Sequence, residues 1–284
     1  MALSGEHVPQ LLTNGIRLAY QRHGSGEPVL FIMGTGAAGR VWTVHQTPAI
    51  VRAGYEAITF DNRGIPPSDR PPGRYALADM VSDTRGLIEG LGLAPCRIVG
   101  VSLGALIAQE LLITSPHLVH CAVLMSTKAR SDAARRAHEA AHRVLAESGV
   151  QLPPEYSAAT SVFQMLSPAT LDNEDAISLW LDVFQLPDNG GGVAAGQTWA
   201  GLAGADRRPA LRNVTAPCRV IAFSDDLITP PLLGAEVAEA IPDCDFVEIA
   251  ACGHLGYLER PDDVNASIIE FLRKNDDRPE RKPK

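Results

Sequence analysis

The sequence has few cysteines, and no two of them form a C-x-x-C pair. Five cysteines lie singly along the 284 residues, mostly inside or beside apolar runs. This spacing argues against a disulfide framework and against a cysteine-rich metal site. We therefore expect buried, reduced thiols, and the sequence indicates no metal and no other cofactor.

Long hydrophobic runs and an excess of positive charge are also missing. No apolar run approaches the roughly 20 residues that span a bilayer, and the start, MALSGEHVPQ, does not resemble a signal peptide. The formal net charge is -8, which works against the binding of nucleic-acid phosphates. The expected class is a cytoplasmic protein that binds neither a membrane nor nucleic acid.

Short apolar runs rich in β-branched residues recur with helical patterns between them. They are PVLFIM (28–33), YEAITF (55–60), CRIVGV (96–101), HCAVLM (120–125), CRVIAF (218–223) and DFVEIA (245–250). Such strands, alternating with helices, predict an α/β fold with a mostly parallel central sheet and helices on both faces. Asn14-Gly15, between two alternating runs, predicts a two-residue hairpin turn before this sheet.

One long interval interrupts the alternation of strands and helices. Residues 126–217 contain several helical patterns but no strong β run. We predict a helical cap, residues 128–213, inserted into a core formed by residues 1–127 and 214–274. The charged segment 275–284 has no apolar face and predicts a disordered tail.

A G-x-S-x-G pattern, GVSLG at residues 100–104, follows a β run and begins an amphipathic helix. In that context the pattern predicts a nucleophile elbow, in which Ser102 takes a strained backbone conformation and the flanking glycines avoid steric conflict. A serine hydroxyl is a poor nucleophile at neutral pH, so it needs a base and a group that orients the base.

The base and the acid are predicted from the ends of the last two strands. His254, in GHLGYLERP, follows the final β run and is the candidate base. The preceding loop, SDDLITPP, supplies two aspartates. We prefer Asp226, because with Pro230 it fits the usual D-x-x-x-P loop, and Asp225 is the alternative.

An oxyanion hole requires backbone N–H groups directed at a developing negative charge. Leu103, directly after the nucleophile, and Thr35, in the loop MGTGAAG, are the predicted donors. A largely apolar substrate pocket is expected between this edge of the sheet and the cap. Its predicted lining comprises Met33, Gly34 and Trp42 from the core, and Phe163, Trp180, Phe184 and Trp199 from the cap. The alternative for the cap aromatics is that they attach cap helices to the core.

These motifs resemble those of the α/β-hydrolase fold superfamily, over roughly residues 8–274. The stretches FDNRG and GHLGYLERP are most similar to the bacterial branch of cofactor-free haloperoxidases, which neighbours esterases, lactonases, thioesterases of secondary metabolism and a menaquinone-pathway lyase. The resemblance implies a Ser-His-Asp triad that cleaves an ester or thioester of a small or medium acyl group. The alternative is a cofactor-free haloperoxidase (perhydrolase), or a lyase like that of the menaquinone pathway, that uses the same triad. Halide oxidation in that branch generally arises when hydrogen peroxide attacks the acyl-enzyme and yields a peracid.

The resemblance leaves the natural substrate open. A carrier protein is one way to deliver the acyl group, and antibiotic biosynthesis is one setting. The lyase subgroup typically carries arginine just after its elbow, where this chain reads GALIAQ, which argues against the carboxylate-rich substrate of that lyase. Neither the residues nor the resemblance fixes the oligomeric state.

A second motif suggests a different function, that of a zinc peptidase. RRAHEAAHRV, at 135–144, contains H-E-x-x-H, and on a helix His138 and His142 could share a zinc ion while Glu139 polarises its water. The other histidines offer no matching third ligand. We therefore expect a cap helix, with its alanines against the core and its two histidines on a polar face.

Overall fold

The computed structural model describes residues 8–186, 196–201 and 205–276. Within these residues eight strands form one sheet: β1 Gln10–Thr13, β2 Ile16–His23, β3 Pro28–Ile32, β4 Glu56–Phe60, β5 Cys96–Val101, β6 Val119–Met125, β7 Cys218–Phe223 and β8 Cys244–Ile249. The helices are α1 Gln46–Arg52, α2 Leu77–Gly90, α3 Leu103–Thr114, α4 Ala133–Ser148, α5 Pro154–Met165, α6 Pro168–Leu171, α7 Glu174–Gln185, α8 Arg208–Leu211, α9 Pro231–Ala240, α10 Gly256–Glu259 and α11 Pro261–Asp276.

The sheet has the order β1-β2-β4-β3-β5-β6-β7-β8. Strands β3 to β8 are parallel to one another, whereas β2 is antiparallel to both of its neighbours, β1 and β4. The turn between β1 and β2 has φ values of 48° at Asn14 and 76° at Gly15, as a two-residue hairpin requires. All six predicted β runs form strands whose ends agree with the prediction within one residue.

The hydrophobic core has two halves, one on each face of the sheet. Along β5, Ile98 belongs to the half covered by α2, α3 and α9, whereas Val99 belongs to the half covered by α1 and α11. Successive side chains of a strand point to opposite faces, so a strand buried on both faces is apolar throughout. The α/β prediction, with helices on both faces of a mostly parallel sheet, is confirmed.

Helices α4 to α8 all lie between β6 and β7, in the interval where the cap is predicted. Helix α8, which falls inside the predicted cap boundary, packs against α3 and α9 of the core, and its Leu211 is fully buried there. The boundary at residue 213 therefore stays a prediction. None of the described helices combines the length and the apolar character that a membrane span requires.

The last helix extends further than the sequence suggests. The tail is predicted to begin at residue 275, but α11 continues through Asp276. Asn275 is fully buried, and Asp276 accepts hydrogen bonds from Tyr55 and Arg97, which fixes this end of the helix to the sheet. The remainder of the predicted tail, 277–284, lies outside the described residues.

Candidate active site

Ser102 occupies the sharp turn between β5 and α3. Its backbone has a φ of 53° and a ψ of -115°, a conformation that residues other than glycine rarely adopt. A Cβ added to Gly100 would lie 2.5 Å from the carbonyl oxygen of Gly104, and a Cβ on Gly104 would lie 2.1 Å from that of Ile32. Both glycines are therefore required by the close approach of backbones, and the turn projects the serine above the sheet.

His254 lies beside this serine, in the loop after β8. Its Nε2 is 3.1 Å from Oγ of Ser102, and its Nδ1 is 2.8 Å from Oδ2 of Asp226. Both His254 and Asp226 are nearly completely buried. The predicted nucleophile, base and acid thus form one continuous chain of hydrogen bonds.

Asp226 is fixed by its own loop after β7. Its carboxylate accepts hydrogen bonds from the N–H groups of Ile228 and Thr229 and from the Thr229 hydroxyl, each at 2.8 Å. Burial alone would raise the pKa of Asp226, but the charge of His254 and the hydrogen bonds from His254 and Thr229 hold this pKa below its ordinary value. The carboxylate is therefore ionised and oriented toward the imidazole. The alternative acid, Asp225, donates its backbone N–H to the carbonyl oxygen of Cys252.

The predicted oxyanion donors lie on either side of the nucleophile. Leu103 begins α3, so its N–H has no acceptor within the helix. On the other side, a Cβ on Gly34 would lie 3.3 Å from Cβ of Ser102, which places the loop that carries Thr35 against the serine. Both Thr35 and Leu103 line the cavity above Ser102.

A residue of the predicted cap, which the sequence analysis missed, holds this loop in place. The fully buried Gln197 accepts a hydrogen bond from the Gly36 N–H at 2.8 Å and donates one to the Arg63 carbonyl at 2.7 Å. No sequence pattern marks this glutamine, because it lies in a short 3-10 turn far along the chain from both partners.

A cavity of about 270 Å³ opens above Ser102. Its floor is largely apolar and comprises Met33, Val101, Leu103, Leu106, Leu255 and Tyr257. Met33 is completely buried, and its carbonyl oxygen accepts a hydrogen bond from Asn62. Two predicted lining residues, Met33 and Gly34, therefore lie at the cavity together with the oxyanion donors.

The five predicted aromatic contacts do not line this cavity. Trp42 is completely buried between Phe31 and Tyr257, in the half of the core that α1 and α11 cover. Phe163 is 67% exposed and faces solvent. The other three predicted aromatic residues, Trp180, Phe184 and Trp199, pack against other side chains.

Trp180 and Phe184 stack on each other along α7 with ring centroids 5.7 Å apart. The Trp199 ring lies under the guanidinium of Arg74 at 3.8 Å. These aromatic side chains bury apolar area within the cap or beside it, so their size carried no information about the substrate.

The expected orientation of α4 is wrong for its apolar residues. Ala137, Ala141 and Val144 are exposed, whereas His138 and Glu139 are partly buried at the cavity. His142 also lines the cavity but is itself exposed. The polar face of this helix turns inward because it faces a cavity rather than a packed core. Among the described residues, no group of three or more His, Cys, Asp or Glu side chains is placed to hold a metal ion.

Cys252 lies two residues from His254 but is not a nucleophile. Burial raises the pKa of this thiol to about 12, so it stays protonated at neutral pH. The thiol is completely buried, and its Sγ donates to the carbonyl of Ile249. Packing, rather than chemistry, accounts for this cysteine.

Comparison with known proteins gives one consistent family. The model of the alpha/beta hydrolase fold matches residues 27–261. BpoC of Mycobacterium tuberculosis, named as a non-heme bromoperoxidase, is 46% identical over 259 residues, which cover 90% of this chain and 98% of the relative. RutD of Azorhizobium caulinodans, named as a carbamate hydrolase, is 27% identical over 262 residues, which cover 89% of this chain and 94% of the relative.

A solved structure agrees with these relatives. Rv0554 from Mycobacterium tuberculosis has a TM-score of 0.87 and 45% identity, and the match covers 91% of this chain and 94% of that one. The chain therefore belongs to the α/β-hydrolase fold family, in the haloperoxidase branch that its motifs resemble.

Proposed function

We propose that the protein is a serine hydrolase that cleaves an ester or thioester of a small or medium acyl group. Ser102 attacks the carbonyl carbon, and His254 takes the proton from its hydroxyl. Asp226 holds the imidazole so that Nε2 faces the serine, and it stabilises the imidazolium that forms. The N–H groups of Thr35 and Leu103 stabilise the oxyanion.

The second half of the reaction regenerates the serine. The leaving alcohol or thiol takes the proton from His254, and water then attacks the acyl-enzyme with His254 acting again as base. The acid product departs and the Ser102 hydroxyl is restored. The apolar floor of the cavity favours an acyl group of modest size, since the cavity measures about 270 Å³.

One observation carries this proposal. The hydroxyl of Ser102, both nitrogens of His254 and the carboxylate of Asp226 are joined by contacts of 3.1 and 2.8 Å at the mouth of a cavity. A nucleophile that is within reach of an oriented base and shares a cavity with the two predicted oxyanion residues, Thr35 and Leu103, is the arrangement that acyl transfer needs.

Two measurements test the proposal. Turnover of p-nitrophenyl acetate is expected to disappear in Ser102→Ala, and a fluorophosphonate is expected to label Ser102 in the wild type alone. Ser126 also lines the cavity, so Ser126→Ala is the matched control and should still take up the label. Near wild-type kcat in Ser102→Ala would refute the assignment. A panel of aryl esters, pantetheine thioesters and carrier-bound thioesters then defines the acyl donor.

A second activity, perhydrolysis, is favoured by the name of the 46% identical relative, a non-heme bromoperoxidase. Hydrogen peroxide would replace water in attack on the acyl-enzyme and release a peracid and free serine. The peracid would then oxidise bromide to hypobromous acid and become the carboxylic acid. Bromination that depends on both acetate and Ser102, and that outpaces ester hydrolysis, would favour this activity over the first.

A further inference from the structure

The loop that carries the base is held by backbone hydrogen bonds on both sides of His254. The N–H of Gly253, directly before it, donates to Oε2 of Glu259 at 2.6 Å. The N–H of Leu255, directly after it, donates to the carbonyl oxygen of Met165 at 3.2 Å. The acid of the triad orients the imidazole ring, whereas these two bonds fix the backbone from which the ring projects. We call residues 253–255 the base loop.

Glu259 joins the base loop to residues 165–170, which lie inside the predicted cap and which we call the cap segment. Its second oxygen, Oε1, accepts hydrogen bonds from the N–H of Ser167 at 2.9 Å, from the Ser167 hydroxyl at 2.7 Å and from the Thr170 hydroxyl at 2.5 Å. Ser167 is completely buried. One carboxylate therefore connects the loop of the base with the cap, and all of these donors are neutral N–H or O–H groups.

The base loop and the cap segment are also in direct backbone contact. A Cβ added to Gly253 would lie 2.6 Å from the carbonyl oxygen of Met165 and 2.9 Å from the nitrogen of Ser167. These distances are too short for any side chain, so the close approach of the two backbones requires glycine here. Met165 and Leu255 both line the cavity above Ser102, so this contact lies at the active site.

The bonds of Glu259 require a carboxylate. The backbone N–H groups of Gly253 and Ser167 can only donate, and each faces a different oxygen of the side chain. A glutamine has a single oxygen, so it would turn its NH₂ toward one of these two N–H groups. Glutamine therefore breaks the connection between base loop and cap segment with almost no change in volume.

We propose that Glu259 is a positioning residue, which holds the base loop on the cap segment so that His254 faces Ser102. This inference rests on the proposed function, because it concerns the base of that reaction. Glu259 acts through the base and not on the substrate. The position of the cap and the alignment of the base are then coupled, so a displaced cap slows the chemical step even where the substrate still binds.

The experiment is a double-mutant cycle on the hydrolysis of p-nitrophenyl acetate. Glu259→Gln is measured in the wild type and in His254→Ala, where the oxyanion hole still supports residual turnover. A residue that acts through the base loses its effect when the base is absent, whereas a residue that only stabilises the fold keeps it. Asp263→Asn is the matched control, because it also changes a carboxylate to an amide, in an exposed ion pair with Arg260.

Glu259→Gln should lower kcat about 10- to 100-fold in the wild type and change KM less than about threefold, because a misplaced base affects the transition state and not binding. In His254→Ala the same substitution should change the residual kcat/KM less than about twofold. Asp263→Asn should stay within about twofold of the wild type, since an exposed ion pair contributes little. The melting temperature of each variant establishes that it is folded.

Thr170→Val addresses the cap side of the same connection. It removes one hydroxyl donor to Oε1 and leaves the carboxylate in place, so it decides the question if Glu259→Gln does not fold. We expect kcat to fall about threefold in the wild type and to stay unchanged in His254→Ala. Added to Glu259→Gln, it should cause no further loss.

An equal loss from Glu259→Gln with and without His254 would overturn the proposal, because the glutamate would then only stabilise the fold. So would wild-type kcat in the folded variant, or a loss that lies in KM alone. Ser102→Ala separates this result from failure of the hydrolase assignment. If Ser102→Ala is inactive while Glu259→Gln is fully active, the hydrolase stands and the positioning role does not. Retained turnover in Ser102→Ala would remove both.

Discussion

Asp226→Asn should reduce kcat severely without unfolding the protein. In the wild type Oδ1 accepts the two N–H groups of Ile228 and Thr229, while Oδ2 faces Nδ1 of His254 at 2.8 Å. An asparagine would keep its oxygen on the two N–H groups and turn its NH₂ toward His254. Nδ1 would then have to accept a hydrogen bond, so the ring proton would move to Nε2, where it blocks removal of the proton from Ser102.

The expected loss in kcat is about 10³- to 10⁴-fold, which corresponds to about 4–5.5 kcal/mol of transition-state stabilisation. The assay is p-nitrophenyl acetate hydrolysis from pH 6 to 10, with circular dichroism to verify the fold. Asp225→Asn is the matched control, because Asp225 precedes Asp226 in the same loop, and its activity should stay within about twofold of the wild type. A loss below tenfold in Asp226→Asn, or an equal loss in both variants, would refute this account of the acid.

Two further predictions concern stability. Ser102→Gly should have a free energy of unfolding about 1 kcal/mol above that of Ser102→Ala, because the φ of 53° strains any residue with a Cβ and glycine relieves this strain. Both variants should be inactive. Equal midpoints of urea unfolding in the two variants would contradict the strain. The lowered pKa of Asp226 makes its ionised form stabilise the fold above the ordinary pKa of an aspartate, and this contribution is lost as the pH falls through the lowered value. The stability advantage of the wild type over Asp226→Asn should therefore shrink between about pH 5 and pH 3 in urea unfolding, and a constant advantage would exclude the linkage.

The sheet and the triad geometry were predictable because each follows from a local rule. A buried parallel strand is apolar on both faces, so CRIVGV and CRVIAF identify β5 and β7 to the residue. The loops at the carboxyl ends of parallel strands meet at one edge of the sheet. Ser102, Asp226 and His254 therefore had to come together once their strands were recognised.

The inner surface of the cap was not predictable in this way. The rule that apolar faces turn inward holds where a helix packs on a core, and α4 breaks it because its inner face borders a cavity. The alanines of RRAHEAAHRV therefore led to the wrong prediction of which face of that helix turns inward. The size of Phe163 and Trp180 likewise predicted contact with the substrate, but Phe163 is 67% exposed and Trp180 stacks on Phe184.

The amide of Gln197 restricts how the predicted cap can be exchanged between relatives. It satisfies the Gly36 N–H and the Arg63 carbonyl from a segment that belongs to the cap by chain order. A cap transplanted from a relative would leave both backbone groups without a partner unless it carried an amide to the same place, and each unsatisfied buried group costs about 1–3 kcal/mol. The predicted cap is thus not an exchangeable module, and we expect point substitutions along α4, which leave both hydrogen bonds of Gln197 in place, to cost less stability than recombination.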